Sequence, residues 1–199
     1  MIKNVSFAGA VLAGGESLRM GQDKSMLLWK GTSLLMHQAR LLQLAGAYQL
    51  LLSGRADQAE QLPGFVLVRD SSVGAGPAAA IADVWRETKC DVLLTLAVDV
   101  PRIPVDYLRD LALAAVQRER SVVPMRAGNF EPLAAAWHRS CLPEFSGAAG
   151  RSLQNICLTL VANDLLTPRQ VSDGEARLFD NMNTPEDYDR VSAATVAPF

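Results

Sequence analysis

An apolar segment that changes abruptly into a glycine-rich, charged loop is the feature that most constrains the fold of this chain. The apolar run Val5–Ala13 is followed by the sequence Gly-Gly-Glu-Ser-Leu-Arg-Met-Gly-Gln-Asp-Lys, which ends at Lys24. Because glycine has no side chain, the backbone N–H groups of such a loop can approach an anion closely. Arg19 and Lys24 place positive charge beside the glycines. The pattern predicts a buried strand that leads into a phosphate-binding loop, and hence a protein that handles a nucleoside triphosphate.

The spacing of this loop differs from that of two better-known phosphate loops. Gly9 and Gly14 match the start of a P-loop, but Gly15 and Glu16 stand where that motif needs lysine followed by serine or threonine. No G-x-G-x-x-G sequence follows the apolar run, which disfavours a Rossmann dinucleotide site. An ordinary strand-to-helix loop is the simpler alternative. Three glycines, an arginine and a lysine in one short window favour phosphate binding over it.

Segments typical of strands and of helices alternate along the chain, which predicts an α/β sheet. With 199 residues, of which 49% are hydrophobic, the chain has the size and composition of one globular domain, residues 1–199. We expect a Rossmann-like, mostly parallel sheet with helices on both faces. Strands are predicted at Val5–Ala13, Tyr48–Ser53, Phe65–Arg69, Val92–Val98, Ser121–Met125 and Leu133–Trp137, and helices at Thr32–Ala45, Pro77–Thr88, Val105–Gln117 and directly after Thr184.

A carboxylate stands at the end of the most apolar predicted strand. The continuous run Val92–Val98 is typical of a central parallel strand buried on both faces, and Asp99 follows it directly. Open α/β sheets bind ligands at the carboxyl ends of such strands. Mg²⁺ prefers oxygen ligands and commonly takes one or two carboxylates together with substrate phosphates. An aspartate that forms a turn before Pro101 is the alternative explanation. The position of Asp99 at the end of this strand allows either role.

The motifs of this chain resemble those of the molybdenum cofactor guanylyltransferases, which belong to the nucleotidyltransferases with a glycosyltransferase-A-like α/β fold. The resemblance covers Val11 to about Asp189 and rests first on the loop L-A-G-G-x-S-x-R-M-G-x-D-K. The other matching segments are short: Asp70 before Gly76-Pro77, Asp99-Val-Pro101, Glu131-Pro-Leu133, Gly150-Arg-Ser152 and Asn181-Met-Asn-Thr-Pro185.

The resemblance implies roles for individual residues. It implies catalysis by Arg19, Lys24 and Asp99, with Mg²⁺ on Asp99; nucleotide binding by Leu12, Ala13, Gly14, Gly15, Lys24, Ser53, Asp70 and Asp99; and binding of the acceptor by Asn181, Asn183 and Arg151. Two positions depart from the family pattern. Ser53 stands where the family often has asparagine, and Ala80 stands where it usually has glycine. A methyl group at Ala80 would crowd the nucleotide pocket.

The reaction that the resemblance implies is transfer of GMP from GTP to the terminal phosphate of molybdopterin, with release of pyrophosphate. No convincing Ser/His/Asp or Cys/His set is present in the sequence, and the reaction needs none. The second pKa of a phosphate monoester is about 6, so the acceptor is already largely an anionic nucleophile at neutral pH. Catalysis then consists of positioning and charge stabilisation.

Two other function classes stay open on the sequence alone. One is a different nucleotidyltransferase, either a cytidylyltransferase for the same cofactor or a sugar-phosphate enzyme. Cytidylyl relatives usually read L-A-A-G, whereas this chain has Gly14, which favours guanine. The other class is a non-catalytic module that binds nucleotide or cofactor for delivery. The charged residues of the motifs argue against it, whereas Ser53 and Ala80 are compatible with it.

Composition excludes several partners. The net charge is −2 and no basic run occurs, so we expect no nucleic-acid surface. No apolar stretch approaches the roughly 20 residues that span a bilayer. The cysteines Cys90, Cys141 and Cys157 are far apart, which suggests neither a disulfide framework nor a zinc site and favours the cytoplasm. A molybdoenzyme or a cofactor-delivery protein is the partner protein that the resemblance implies.

Overall fold

The computed structural model describes residues 6–14, 23–69 and 74–193, and one main sheet runs through them. In chain order the strands are β1 Ala8–Leu12, β2 Leu28–Trp29, β3 Thr32–Ser33, β4 Gln49–Ser53, β5 Val66–Val68, β6 Val92–Ala97, β7 Ser121–Arg126, β8 Asn129–Phe130, β9 Ala134–His138 and β10 Leu166–Gln170. The helices are α1 Leu34–Ala45, α2 Ala56–Ala59, α3 Pro77–Glu87, α4 Val105–Arg118, α5 Leu142–Phe145, α6 Leu153–Ala162 and α7 Pro185–Ala193.

The main sheet is mixed and mostly parallel, as predicted. Its order is β10-β7-β9-β6-β1-β4-β5, with β8 paired to β7, while β2 and β3 form a separate hairpin. Strand β9 runs antiparallel to both β6 and β7, and β8 runs antiparallel to β7. The other neighbours in the main sheet are parallel. The first strand of the chain thus lies between β4 and β6, in the middle of the sheet.

The centre of the sheet is covered on both faces. Every residue of β1 and β6 is buried, and successive side chains of a strand point to opposite faces. Helix α1 packs against α4, and α3 packs against α5, which also contacts α6. The expectation of helices on both faces is therefore confirmed, and the continuous apolar pattern of β6 reflects this two-sided burial.

The start of helix α1 differs from the sequence-based expectation. The sequence predicts a helix from Thr32, but Thr32 and Ser33 form β3, which pairs with β2 across a turn at Lys30 and Gly31. Both turn residues have positive φ, at 50° and 85°. The Ser33 hydroxyl then caps α1 by accepting a hydrogen bond from the Met36 N–H at 3.3 Å. The hairpin thus includes Thr32 and Ser33, which would otherwise extend the helix.

Two of the elements that the sequence does not predict, β10 and α2, have a local explanation. Strand β10 contains Pro168, which argues against a strand by propensity, but β10 is an edge strand and tolerates the missing N–H. Helix α2 is a single turn with too few residues to show periodicity.

Among the described helices, none is both long enough and apolar enough to cross a membrane. All three cysteines are buried.

Candidate active site

Three parallel strands end at the same level and form the rim of the candidate site. Leu12 at the end of β1 pairs in register with Ser53 of β4 and with Ala97 of β6. The Ala13 N–H donates to the Ser53 carbonyl at 2.9 Å, and the Val98 N–H donates to the Leu12 carbonyl at 3.3 Å. The exposed Gly14 and the segment that carries Asp99 therefore leave the sheet side by side, as the sequence predicts for the carboxyl edge.

Asp99 is a half-buried carboxylate at this rim. Burial raises the pKa of Asp99, and the nearby charge of Lys24 partly opposes that rise. In the part of the chain that the structure describes, no cation lies within ion-pair distance of this carboxylate. A desolvated carboxylate with no ion pair of this kind is a suitable ligand for a divalent ion. No set of three metal-ligating side chains occurs among the described residues, so further ligands would come from phosphate oxygens or water.

Lys24 meets a segment from the far end of the chain. Its Nζ donates to Oδ1 of Asn183 at 2.8 Å, although 159 positions separate the two residues. The N–H of Met182 donates to the Asp99 carbonyl at 2.9 Å, and the Met182 side chain is fully buried. The structure therefore brings together Lys24, Asp99 and the segment 181–183, which the sequence predicts as separate parts of one site.

The segment 181–183 is held at both of its ends. Before it, the Asp180 carboxylate accepts a hydrogen bond from Arg102 at 3.3 Å and lies 3.7 Å from nitrogens of Arg126 and Arg190. After it, the Asp187 carboxylate accepts from the N–H groups of Asn183 and Thr184 at 3.2 and 3.1 Å. These contacts fix where the amides of residues 181 and 183 stand relative to the sheet.

A polar cluster fixes the exit of the glycine loop. Asp23 accepts from the Ser25 N–H at 2.9 Å and forms an ion pair with Arg55. Burial alone would raise the pKa of Asp23, but hydrogen bonds from Arg55 and Ser25 lower it overall. The fully buried Gln58 donates to Ser25 Oγ at 3.0 Å and accepts from the Arg55 N–H at 2.8 Å. Lys24, which lies between Asp23 and Ser25, is thereby held beside the strand ends.

A second carboxylate lies within the electrostatic reach of Asp99. Burial raises the pKa of Glu131, the charge of Arg126 lowers it, and the charge of Asp99 raises it further. Arg126 donates to Glu131 Oε1 at 3.0 Å, so this carboxylate already has a cationic partner. Leu133, two residues later, accepts the Ala97 N–H at 2.9 Å. The segment that contains Glu131 therefore borders the site next to β6.

Arg151 occupies a different part of the edge. Its guanidinium donates to the Glu144 carbonyl at 2.6 Å and lies 3.6 Å from a carboxylate oxygen of the same residue. The preceding residue, Gly150, donates its N–H to the Ala75 carbonyl at 3.0 Å, directly before α3. The described side-chain contacts of Arg151 therefore lie at α5, with the start of α3 next to the preceding residue, and none of them reaches segment 181–183.

The remaining sequence-based site residues divide into two groups. Leu12 and Ala13 are buried at the end of β1, and Ser53 is buried at the end of β4. Gly15, Arg19 and Asp70 lie outside the described residues. Their roles stay predictions.

Sequence reasoning missed three polar residues that shape the site. Gln38 is a polar residue on the otherwise apolar face of α1, a signal that the periodicity contained. Gln58 lies in the unpredicted helix α2, so its burial had no sequence signal. Glu131 belongs to one of the matching motifs, but its neighbours in the sequence imply no role for it.

Comparison with known proteins shows the family to which this chain belongs. Residues 9–162 match the model of a family described as the MobA-like NTP transferase domain. A protein of Opitutus terrae named "Probable molybdenum cofactor guanylyltransferase" is 35% identical over 191 residues, which cover 93% of this chain and 94% of that protein.

Two solved structures share the fold. Molybdopterin-guanine dinucleotide biosynthesis protein A from Archaeoglobus fulgidus superposes with a TM-score of 0.73 at 24% identity, over 94% of this chain and 98% of that one. The protein Rv0371c of Mycobacterium tuberculosis, solved in complex with manganese, gives a TM-score of 0.65 at 21% identity, over 95% and 99% of the two chains. The expected nucleotidyltransferase fold is confirmed.

Proposed function

Because this chain belongs to the MobA-like NTP transferase family, we propose that it is a molybdenum cofactor guanylyltransferase. It transfers GMP from GTP to the terminal phosphate of molybdopterin and releases pyrophosphate. The observation that carries the proposal is that segment 181–183 is hydrogen-bonded both to Lys24 and to the Asp99 backbone. Asn183 accepts from Lys24, and the Met182 N–H donates to the Asp99 carbonyl, at the carboxyl edge of the parallel strands. The name of the Opitutus terrae relative supports the choice of guanine nucleotide and of acceptor.

The nucleotide binds along the ends of β1, β4 and β6 in this proposal. Gly14 and Gly15 present backbone N–H groups to the triphosphate, and Arg19 and Lys24 neutralise its charge. The fixed exit of the loop at Asp23 and Ser25 sets where the Lys24 ammonium stands. Leu12, Ala13, Ser53 and Asp70 complete the nucleotide site.

Asp99 is the residue that would hold Mg²⁺. Its raised pKa and the lack of an ion pair among the described residues are the properties expected of a carboxylate that binds a cation. When bound, Mg²⁺ neutralises charge on phosphate oxygens and so favours attack at phosphorus. Because no set of three metal-ligating side chains occurs among the described residues, the metal would bind together with the nucleotide, whose phosphate oxygens supply further ligands.

The chemical step needs no proton transfer by the protein. A terminal phosphate oxygen of the acceptor attacks the α-phosphorus of GTP, a new P–O bond forms, and the bond to the bridging oxygen of the β-phosphate breaks. The electron pair of that bond leaves with pyrophosphate. Lys24 and Arg19 stabilise the departing anion, so catalysis consists of orientation and electrostatics.

The acceptor approaches from the side of segment 181–183. Amides bind phosphate or a pterin edge without adding charge, and Asn183 already contacts the Lys24 ammonium. Asn181 lies two residues away in the same segment. Arg151 meets the acceptor from the side of α5 once it exchanges its contact with Glu144 for an anionic group.

The wider setting of the reaction belongs to the same proposal. The whole chain, residues 1–199, acts as one nucleotidyltransferase domain. The three buried thiols are consistent with work in the reducing cytoplasm. The product passes to a molybdoenzyme or to a cofactor-delivery protein, and nucleic acid and membrane have no part in the activity.

Thermal unfolding with GTP, CTP, ATP or UTP, each with and without Mg²⁺, tests the proposal. A ligand at about 100 times its dissociation constant adds about 2.7 kcal/mol to the free energy of unfolding, or roughly 5–10 °C for a chain of this size. We expect a Mg²⁺-dependent shift that is largest with GTP. A larger shift with CTP would assign the protein to cytidylyl transfer, and equal melting temperatures with and without every nucleotide would contradict nucleotide binding.

A further inference from the structure

A glutamine occupies the centre of the buried face of α1. The other buried residues of this helix are apolar: Leu34, Leu35, Ala39, Leu42 and Ala45. Gln38 is fully buried among them. Burial of an amide costs free energy unless its polar atoms form hydrogen bonds, so a residue of this type at this position has a specific set of partners.

The partners of Gln38 are carbonyl groups on both sides of Asp99. Its Nε2 donates to the Ala97 carbonyl at 2.7 Å and to the Val100 carbonyl at 3.1 Å. Its Oε1 has no hydrogen-bond partner among the described residues. The side chain therefore acts only as a donor, and both of its N–H groups bind the segment 97–101, which we call the Asp99 loop.

Other groups hold the remaining carbonyls of the Asp99 loop. The neighbouring His37 contacts the Pro101 carbonyl through Nε2 at 2.9 Å, and the Met182 N–H donates to the Asp99 carbonyl. Four of the five consecutive carbonyls, those of Ala97, Asp99, Val100 and Pro101, are thus bound from outside the loop. Three of these four depend on two adjacent residues of α1, His37 and Gln38.

We propose that Gln38 is a positioning residue that fixes the Asp99 loop so that the Asp99 carboxylate is presented to the metal–nucleotide complex. The inference rests on the proposed function. Gln38 does not touch the nucleotide in this account; it acts through the backbone on either side of the carboxylate. Residues that orient a metal ligand typically contribute about 10–100-fold to metal affinity.

The two possible roles of Gln38, positioning and stability alone, differ in what they change. A purely structural hydrogen bond lowers the melting temperature when removed and leaves binding by the folded protein unchanged. A positioning role lowers the gain in nucleotide affinity that the metal provides, because a displaced Asp99 carboxylate no longer meets the cation. Nucleotide affinity in the absence of metal stays unchanged in that case.

The experiment measures GTP binding by isothermal titration calorimetry with saturating Mn²⁺ and with a chelator. The metal-dependent gain is the ratio of the two affinities. The variants are Gln38→Met, which keeps the length of the side chain and removes both donors, and Asp99→Asn, which removes the metal ligand. The matched control is Thr95→Val on the same strand β6. Thr95 is fully buried, donates to the Ala135 carbonyl at 3.2 Å and accepts from Trp137 Nε1 at 3.0 Å, so its loss also removes buried hydrogen bonds.

We expect Gln38→Met to reduce the metal-dependent gain by about tenfold, or to abolish a smaller gain, with no change in affinity in chelator. Thr95→Val should lower the melting temperature and keep the whole gain. The inference is overturned if Gln38→Met keeps the gain of the wild type, or if it weakens GTP binding equally with and without Mn²⁺.

Failure of the proposed function gives a different result. In that event the wild-type protein itself shows no metal-dependent gain, and Asp99→Asn matches it. If Gln38→Met does not fold, Gln38→Asn provides the same test, because its amide is one methylene too short to bind both carbonyls. Full metal-dependent gain in the folded Gln38→Asn variant would also overturn the inference.

Discussion

Asp99 is a residue whose burial is costly for folding and for which we propose a role in activity. Burial raises the pKa of its carboxyl group above the ordinary value, because the folded protein solvates the charged form less well than water does. A bound cation would offset that cost. Residues of this kind are common where function needs a destabilised group.

Replacement of Asp99 by asparagine should therefore separate stability from activity. We expect Asp99→Asn to raise the free energy of unfolding of the nucleotide-free protein by about 1 kcal/mol, because it removes a poorly solvated charge. Turnover with GTP, Mg²⁺ and molybdopterin should fall by more than about 100-fold. Urea unfolding and pyrophosphate release measure the two effects. Asp110→Asn, on the exposed side of α4, is the control and should change neither.

A second residue-scale test concerns the contact between Asn183 and Lys24. Asn183→Ala removes the side-chain oxygen that accepts the hydrogen bond from Lys24, so one contact that positions the ammonium beside the molybdopterin side of the site is lost. A charge-assisted hydrogen bond of this kind contributes about 1.4 kcal/mol, which corresponds to about a tenfold loss of kcat/KM for molybdopterin. The exposed Asn155→Ala in α6 is the matched control. Equal kinetics for the two variants would exclude a role for Asn183.

At the scale of elements, the exit of the glycine loop depends on the ion pair of Asp23 with Arg55. The pKa of Asp23 is lower in the folded protein than its ordinary value. The carboxylate therefore contributes stability above the unfolded pKa of about 3.9, and this contribution is lost as the pH falls through the folded pKa.

The variant Asp23→Asn tests this linkage. It keeps an oxygen to accept the Ser25 N–H but removes the charge that pairs with Arg55. We expect it to be less stable than the wild type by about 1 kcal/mol at neutral pH, since Arg55 is half exposed. The difference should shrink as the pH is lowered towards about 3. Urea unfolding across this range is the measurement, and a difference that stays constant with pH would contradict the ion-pair explanation.

The glycine that ends helix α1 provides a further test of how this helix is stabilised. Gly46 ends this helix with φ of 93°, and its N–H donates to the Gln43 carbonyl at 3.0 Å. A Cβ atom at this position would meet no described atom within 4 Å, so conformation alone opposes a side chain. Gly46→Ala should cost about 1–2 kcal/mol in urea unfolding. Gly174→Ala has the same open surroundings without positive φ and should be neutral within error. Equal stabilities of both variants would contradict the cap.

In the whole molecule, the candidate site consists of residues that lie far apart in the sequence. The sequence predicts the central strands because two-sided burial makes them continuously apolar. It predicts a ligand-binding role for Asp99 because this carboxylate directly follows such a strand. It also predicts the cap at Thr184, whose hydroxyl accepts the Asp187 N–H at 3.1 Å. These features depend on local chemistry alone.

The features that sequence reasoning missed depend on tertiary contacts. The contact of Lys24 with Asn183 exists because α7 returns to the start of the chain, where the Tyr188 hydroxyl also donates to the Leu28 carbonyl at 2.6 Å. The sequence shows that Gln38 lies on the apolar face of α1, but the roles of Gln38 and Gln58 follow only from their buried partners on other elements. Strand β10 forms in spite of Pro168 because it pairs with β7 alone, at the edge of the sheet.

Pyrophosphate release by the purified protein tests the central claim most directly. The reaction contains Mg²⁺, intact molybdopterin and either GTP or CTP, and mass spectrometry identifies the nucleotide-linked product. We expect one pyrophosphate for each GMP-linked pterin, with GTP as the preferred substrate and no release when acceptor or Mg²⁺ is omitted. Faster transfer from CTP, or no release from either nucleotide with an acceptor shown to be intact, would contradict guanylyl transfer.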